Sequence, residues 1–100
     1  MSTLVIEQDL AVSSVVVTAD TLSVELSDGR SLSVPLGWFP RLLHGTPEER
    51  VRWELIGRGS GVHWPDLDED ISVVGILGGR PSGESADSLR RWLDTRKLAS

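Results

Sequence analysis

The chain has 100 residues, of which 39% are hydrophobic and 25% charged, with a formal charge of -5. That length supports one modest core and no second, since it buries roughly 60–65% of the unfolded surface, and the acidity opposes nucleic acid, whose affinity comes from cations neutralising phosphates. The absence of cysteine excludes disulfides, thiol nucleophiles and thiolate metal sites, and with no apolar run near the ~20 residues of a membrane span and no signal-peptide pattern, the expected location is cytoplasmic.

The first third of the chain is written for strands. Val15, Val16 and Val17 run into Thr18, Ala19-Asp20 turns the chain, and Leu22, Val24 and Leu26 alternate with polar residues, so one face packs and the other meets water. Asp28-Gly29 signals a hairpin, and parity selects its loop. A two-residue loop would set Leu26 against Ser31 and mix the faces, whereas a three-residue loop, Ser27 to Gly29, pairs Val24 with Leu32 and Leu22 with Val34. The expected turn is type I with Gly29 left-handed in a G1 bulge.

Pro35 ends that strand, and Leu36 to Leu43 suits one or two short helical turns around Pro40, broken by Gly45. Thr46-Pro47-Glu48-Glu49 is a helix start: Thr46 caps, Pro47 gives up an N–H that needs no partner, and Glu49 closes a capping box. Val51 and Leu55 fit a continued helical face while Trp53 to Ile56 suits a strand equally; the strand is preferred, with Gly57 to Gly61 turning the chain back into Val62-His63-Trp64. The acidic stretch Asp66 to Asp70 precedes a short apolar helix or turn beginning near Ser72, whose positive N-terminal end it would complement. Gly78 and Gly79 end that element. Ser85 to Lys97 reads as a helix with a Leu89, Trp92, Leu93 stripe, suited either to docking on the sheet or to contact with another chain.

Each apparent active-site signature fails at a named position. In Gly57-Arg58-Gly59-Ser60-Gly61 the third glycine of a dinucleotide fingerprint is replaced by Val62, and a serine elbow at Ser60 would need glycine at Arg58 and at Val62. Asp66, Asp68 and Asp70 match the first three ligands of a calcium loop, but Ile71 stands at its obligatory glycine and Leu77 at its bidentate glutamate. His63 lies near Asp66, a pairing able to orient a general base or assist a metal. The simpler reading is a histidine hydrogen-bonded beside Trp64. Trp38, Trp53 and Trp64 are expected in core and edge packing.

Trp38-Phe39-Pro40-Arg41-Leu42, Glu49-Arg50, Trp53 to Gly57 and, above all, His63-Trp64-Pro65-Asp66-Leu67-Asp68-Glu69-Asp70-Ile71-Ser72-Val73 closely resemble the bacterial family known as domain of unknown function 2442. The resemblance runs from Val15 to Leu77, departing at Val74 and Ile76 from the glutamate and leucine usual there. It implies a small α+β domain with antiparallel strands around a helix and no established activity. Relatives with an added helix-turn-helix region are not matched in that respect, so DNA binding is not expected. In genomic setting, members resemble the antitoxin half of small two-protein modules.

The expected fold is α+β: a small antiparallel sheet packed on short helices, in a single domain over residues 1–80, with a linker and amphipathic helix over 81–100 belonging to the same unit. The expected function is a protein-interaction module, not an enzyme, with no cofactor or metal. Its partner would be a small neighbouring protein or a second copy, engaged through His63, Trp64, Asp66, Asp68, Glu69 and Asp70 and through Leu89, Trp92 and Leu93. The alternatives are a metal-dependent enzyme or ligand-binding domain centred on His63 to Asp70, and a transcription regulator.

Overall fold

The structure, a computed structural model, describes residues 10–99. The first three strands, β1 (Val12–Val17), β2 (Thr21–Leu26) and β3 (Ser31–Pro35), form an antiparallel meander in that order. Leu22 pairs with Val34 and Val24 with Leu32, as parity requires. Gly29 closes the β2–β3 turn at φ +94°, and the Asp28 carboxylate accepts the Arg30 N–H at 3.0 Å. In β1 the buried residues are Val12 and Val15, three apart and therefore on opposite faces of a regular strand. A bulge between Val12 and Ser14 restores them to one face, opposite Leu26 and Val24.

A 3-10 turn (Leu36–Trp38) and two short helices follow, α1 (Pro40–Leu43) and α2 (Pro47–Val51). The α2 start has its full capping box: Thr46 Oγ1 accepts the Glu49 N–H at 3.1 Å and Glu49 Oε1 accepts the Thr46 N–H at 2.8 Å. Arg50 turns back to donate to the Leu42 and Leu43 carbonyls at 2.9 and 2.7 Å, reinforcing the end of α1.

The second sheet is β4 (Glu54–Ile56), β5 (Gly61–Trp64) and β6 (Glu69–Ser72), antiparallel and in that order. β6 corrects one expectation: Glu69 and Asp70 belong to a strand, so they do not form a solvated cap ahead of a helix. The helix itself, α3 (Val73–Leu77), begins where expected, with Ser72 Oγ accepting the Gly75 N–H at 2.9 Å. The glycine-rich loop joins the two sheets, the Gly59 carbonyl accepting the Val12 N–H at 2.8 Å, while the Ser60 carbonyl extends the β5–β6 ladder by accepting the Val73 N–H at 2.9 Å. Gly59 sits at φ +100°, and a Cβ there would stand 2.7 Å from the Val12 carbonyl oxygen. Close passage of two backbones, not phosphate binding, accounts for the glycine.

Both sheets feed one cluster of buried residues, in which Leu22, Leu36, Leu42, Val62, Trp64 and Leu67 are fully enclosed. Trp38, Trp53 and Trp92 pack partly buried against it. The last helix, α4 (Ala86–Ala99), starts with Ser85 Oγ accepting the Ser88 N–H at 3.1 Å. It is held by side chains from the helical segments. Glu84 takes Arg41 at 2.6 Å and Arg96 takes Glu49 at 2.7 Å, with the Trp92 ring lying 5.0 and 4.7 Å from the Arg41 and Arg96 guanidinium carbons.

Candidate functional site

Alternation in a three-stranded sheet decides which chemistry reaches solvent. On β5, Val62 and Trp64 face the core, so His63 faces out, and the ladder sets Glu54 of β4 on one side of it and Asp70 of β6 on the other. An acid–histidine–acid row thus crosses the open face. His63 Nδ1 is hydrogen-bonded to Asp70 Oδ1. That bond holds the imidazole pKa above its ordinary value, with further attraction from Glu54 and Asp68. The His63–Asp66 pairing, the less simple of the two readings of this histidine, does not form: adjacency in sequence loses to cross-strand register, and Asp66 pairs instead with Arg52 at 3.3 Å.

The turn between β5 and β6 is pinned by Leu67, which is fully buried and donates its N–H to the Trp64 carbonyl at 3.2 Å. Asp68, at φ +50°, completes the reversal and points into solvent with Arg41 3.6 Å away. The three alternate aspartates consequently diverge, Asp66 toward Arg52, Asp68 toward Arg41 and Asp70 toward His63. Among the described residues no group of three or more His, Asp or Glu side chains could hold a metal ion.

Glu69 differs from its acidic neighbours. It pairs with Trp64 across the ladder and so lies on the core side of β6, where burial raises its pKa. Its Oε1 accepts the Asp70 N–H at 3.1 Å. Beside it opens a cleft of about 310 Å³ whose lining includes Phe39, Ser72, Ile76, Arg80 and Ser82, at the small end of ligand-sized pockets.

The remaining candidates lie elsewhere. Trp64 is fully buried, and its indole N–H donates to the Arg50 carbonyl at 3.0 Å. Leu89, Trp92 and Leu93 are half-buried on α4, where Trp92 lies between two guanidinium groups of its own chain. The helix thus docks beside α1 and α2 rather than on a sheet face. Arg96 pulls the Glu49 carboxyl down to about 2, helped by the Thr46 N–H, and Arg41 likewise lowers Glu84. Glu54, Arg41 and Glu84 matter to this geometry and are not marked in the sequence. For Glu54, outward alternation with Leu55 is a usable signal; Arg41 and Glu84 are 43 positions apart and offer none.

Two small antiparallel sheets on one core, with the acid–histidine face on the second, define a compact class of α+β domain. Within it, the chain belongs to the family described as "Protein of unknown function (DUF2442)", whose model matches residues 12–82. An uncharacterised protein from Chromobacterium violaceum, solved by NMR, is 26% identical with a TM-score of 0.66 over 97% of this chain and 85% of its own. A protein of unknown function from Rhodospirillum rubrum, solved by crystallography, has the same fold at 22% identity, with a TM-score of 0.64 over 76% of this chain and 94% of its own. No curated protein matches. No helix among the described residues is long and apolar enough to cross a membrane.

Proposed function

We propose that the chain is a non-catalytic interaction module that binds a small basic protein, in the manner of an antitoxin-like partner to a neighbouring gene product, through the outward face of its second sheet. The observation that carries this reading is the row Glu54, His63, Asp70, extended by the exposed Asp68. These groups are fixed by strand register and by the buried Leu67, so the face is already ordered before a partner arrives. A surface in which acids outnumber cations speeds encounter with a basic partner and disfavours acidic competitors. The carboxylates are spread along a face, Asp68 beside Arg41 and Glu54 and Asp70 on either side of His63, a distribution that favours a protein surface over one metal ion.

Co-expression with the product of the adjacent gene, followed by purification at low salt, is the direct experiment. A stable complex is expected, weakened by salt and lost in the Glu54→Lys, Asp70→Lys double variant. Failure of the two proteins to associate at low salt, or association indifferent to both substitutions, rules the reading out.

A further inference from the structure

The second sheet ends on β6, which among the described residues has β5 on one side and no strand on the other. The register shows which of its backbone groups face outward. Val73 donates its N–H to the Ser60 carbonyl at 2.9 Å, so the pairs in phase with it, Val62 with Ile71 and Trp64 with Glu69, are the hydrogen-bonded ones. Asp70 and Ser72 therefore direct their backbone N–H and C=O groups away from β5. The cleft of about 310 Å³ lies on that edge, lined by residues 69–72 and by residues 80–83. The latter segment is tied elsewhere, Arg80 N–H to the Gly75 carbonyl at 3.0 Å and Ser82 N–H to the Trp38 carbonyl at 2.9 Å, so it is no fourth strand.

Within the cleft the Asp70 N–H is occupied, but by a side chain: the Glu69 carboxylate accepts it at 3.1 Å. A carboxylate oxygen there holds the place of an incoming strand's carbonyl. Glu69 has no cation to itself, because Arg41 is committed to Glu84 at 2.9 and 2.6 Å. Arg80, the cation lining the cleft, folds its side chain against Gly78 at the end of α3.

We infer that the β6 edge and its cleft form a docking site for an extended basic segment of the partner protein, which adds as a fourth strand and sets a Lys or Arg against Glu69. This deepens the function proposed above and rests on its basic partner. Strand addition supplies affinity through main-chain hydrogen bonds and specificity through alternate side chains. On docking, the Asp70 N–H exchanges the Glu69 carboxylate for a strand carbonyl, so no hydrogen bond is lost there. The released carboxylate, half-buried, gains a counter-charge and a charge-assisted bond. The same geometry selects the occupant. An inward-pointing charge guards an edge strand against its own kind, and a second copy would bring Glu69 and Asp70 against Glu69 and Asp70. A basic strand meets these acids with opposite charge, Arg80 of the lining being turned against Gly78, and Asp70 joins the edge to the acidic outer face.

The experiment is an NMR titration of the ¹⁵N-labelled full chain with a blocked hexapeptide of alternating Lys and Val, beside its Glu–Val counterpart. Saturable shifts at the Asp70 and Ser72 amides are expected with the Lys–Val peptide and none with the Glu–Val peptide. N-methylation of alternate peptide residues abolishes binding without altering the protein, and Glu69→Gln weakens it about tenfold, the loss of one charge-assisted hydrogen bond. Equal binding of both peptides, binding indifferent to N-methylation or to Glu69→Gln, or shifts confined to Glu54 and His63 overturns the inference. Absence of any saturable shift does so too. Each of these leaves the acidic-face reading standing, because that reading is decided by complex formation with the neighbouring protein.

Discussion

The two sheets share strand number and order and are opposite in the character of their central outward rows. In the first, the central outward row is Val16, Ser23 and Ser33, closed by a hydroxyl–hydroxyl hydrogen bond of 2.8 Å between the serines. In the second, the corresponding row is Glu54, His63 and Asp70, all ionisable. Identical strand order thus yields one central row that is uncharged, with Glu25 further along the same face, and one that is ionisable throughout. The inward faces show no such division, since Leu22 and Val24 of the first sheet and Val62 and Trp64 of the second belong to one buried cluster. The first sheet supports the second. The function proposed for the chain uses the face whose outward row departs from neutral.

The premise of a shared core carries the largest expected effect. Trp64→Ala removes a fully buried indole and the donor to the Arg50 carbonyl, and should cost about 3–5 kcal/mol in chemical denaturation. Leu22→Ala, fully buried in the first sheet, should cost about 2–5 kcal/mol. Both variants should lower amide protection across both sheets. Protection lost only in the sheet that bears the substitution would mean two separately stable units, and the comparison would fail.

The junctions come next. Gly29 and Gly59 both have positive φ, but a Cβ at Gly29 meets nothing within 4 Å whereas one at Gly59 meets the Val12 carbonyl oxygen at 2.7 Å. Gly29→Ala should therefore cost only the backbone term, about 1–2 kcal/mol. Gly59→Ala adds a steric clash to the same term and should cost measurably more by thermal unfolding. Equal losses would show that the contact between the sheets yields without strain.

The same contrast governs how much of the molecule can be read in its residues. The β2–β3 register is legible because both strands are long enough for parity to exclude the shorter loop, and the α2 capping box is legible because all its parts lie within four consecutive residues. β6 is not. As an edge strand it turns one apolar side chain, Ile71, to the core beside the carboxylate of Glu69, so alternation is lost among acids, and Ile71 to Leu77 reads as a single apolar segment. The β1 bulge is hidden for a related reason: Val12 and Val15 have the wrong parity for a regular strand, and only the pairing with β2 shows how both are buried. At the candidate site the residue types between His63 and Asp70 are legible and their partners are not. Asp70 reaches His63 through the ladder, and the Arg41–Glu84 and Glu49–Arg96 pairs close over 43 and 47 positions.

The smallest effect tests the contrast between the two rows most directly. Because the folded-state pKa of His63 is raised by Asp70 first, then by Glu54 and Asp68, its contribution to stability is fully present below the unfolded value of 6.5 and lost as pH rises through the higher folded value. Asp70→Asn removes the main cause, so the His63 imidazole should titrate at lower pH in an NMR experiment and the loss of stability across that window should flatten. Ser23→Ala, the matched change in the first sheet, should leave the dependence between about pH 5 and 8 untouched, since a histidine is the group that changes charge there. If Asp70→Asn leaves the His63 titration where it was, the row is an accident of register rather than an electrostatic unit. Its carboxylates would then attract a basic partner independently of one another, and the face would lose the one property that sets it apart from its neutral counterpart.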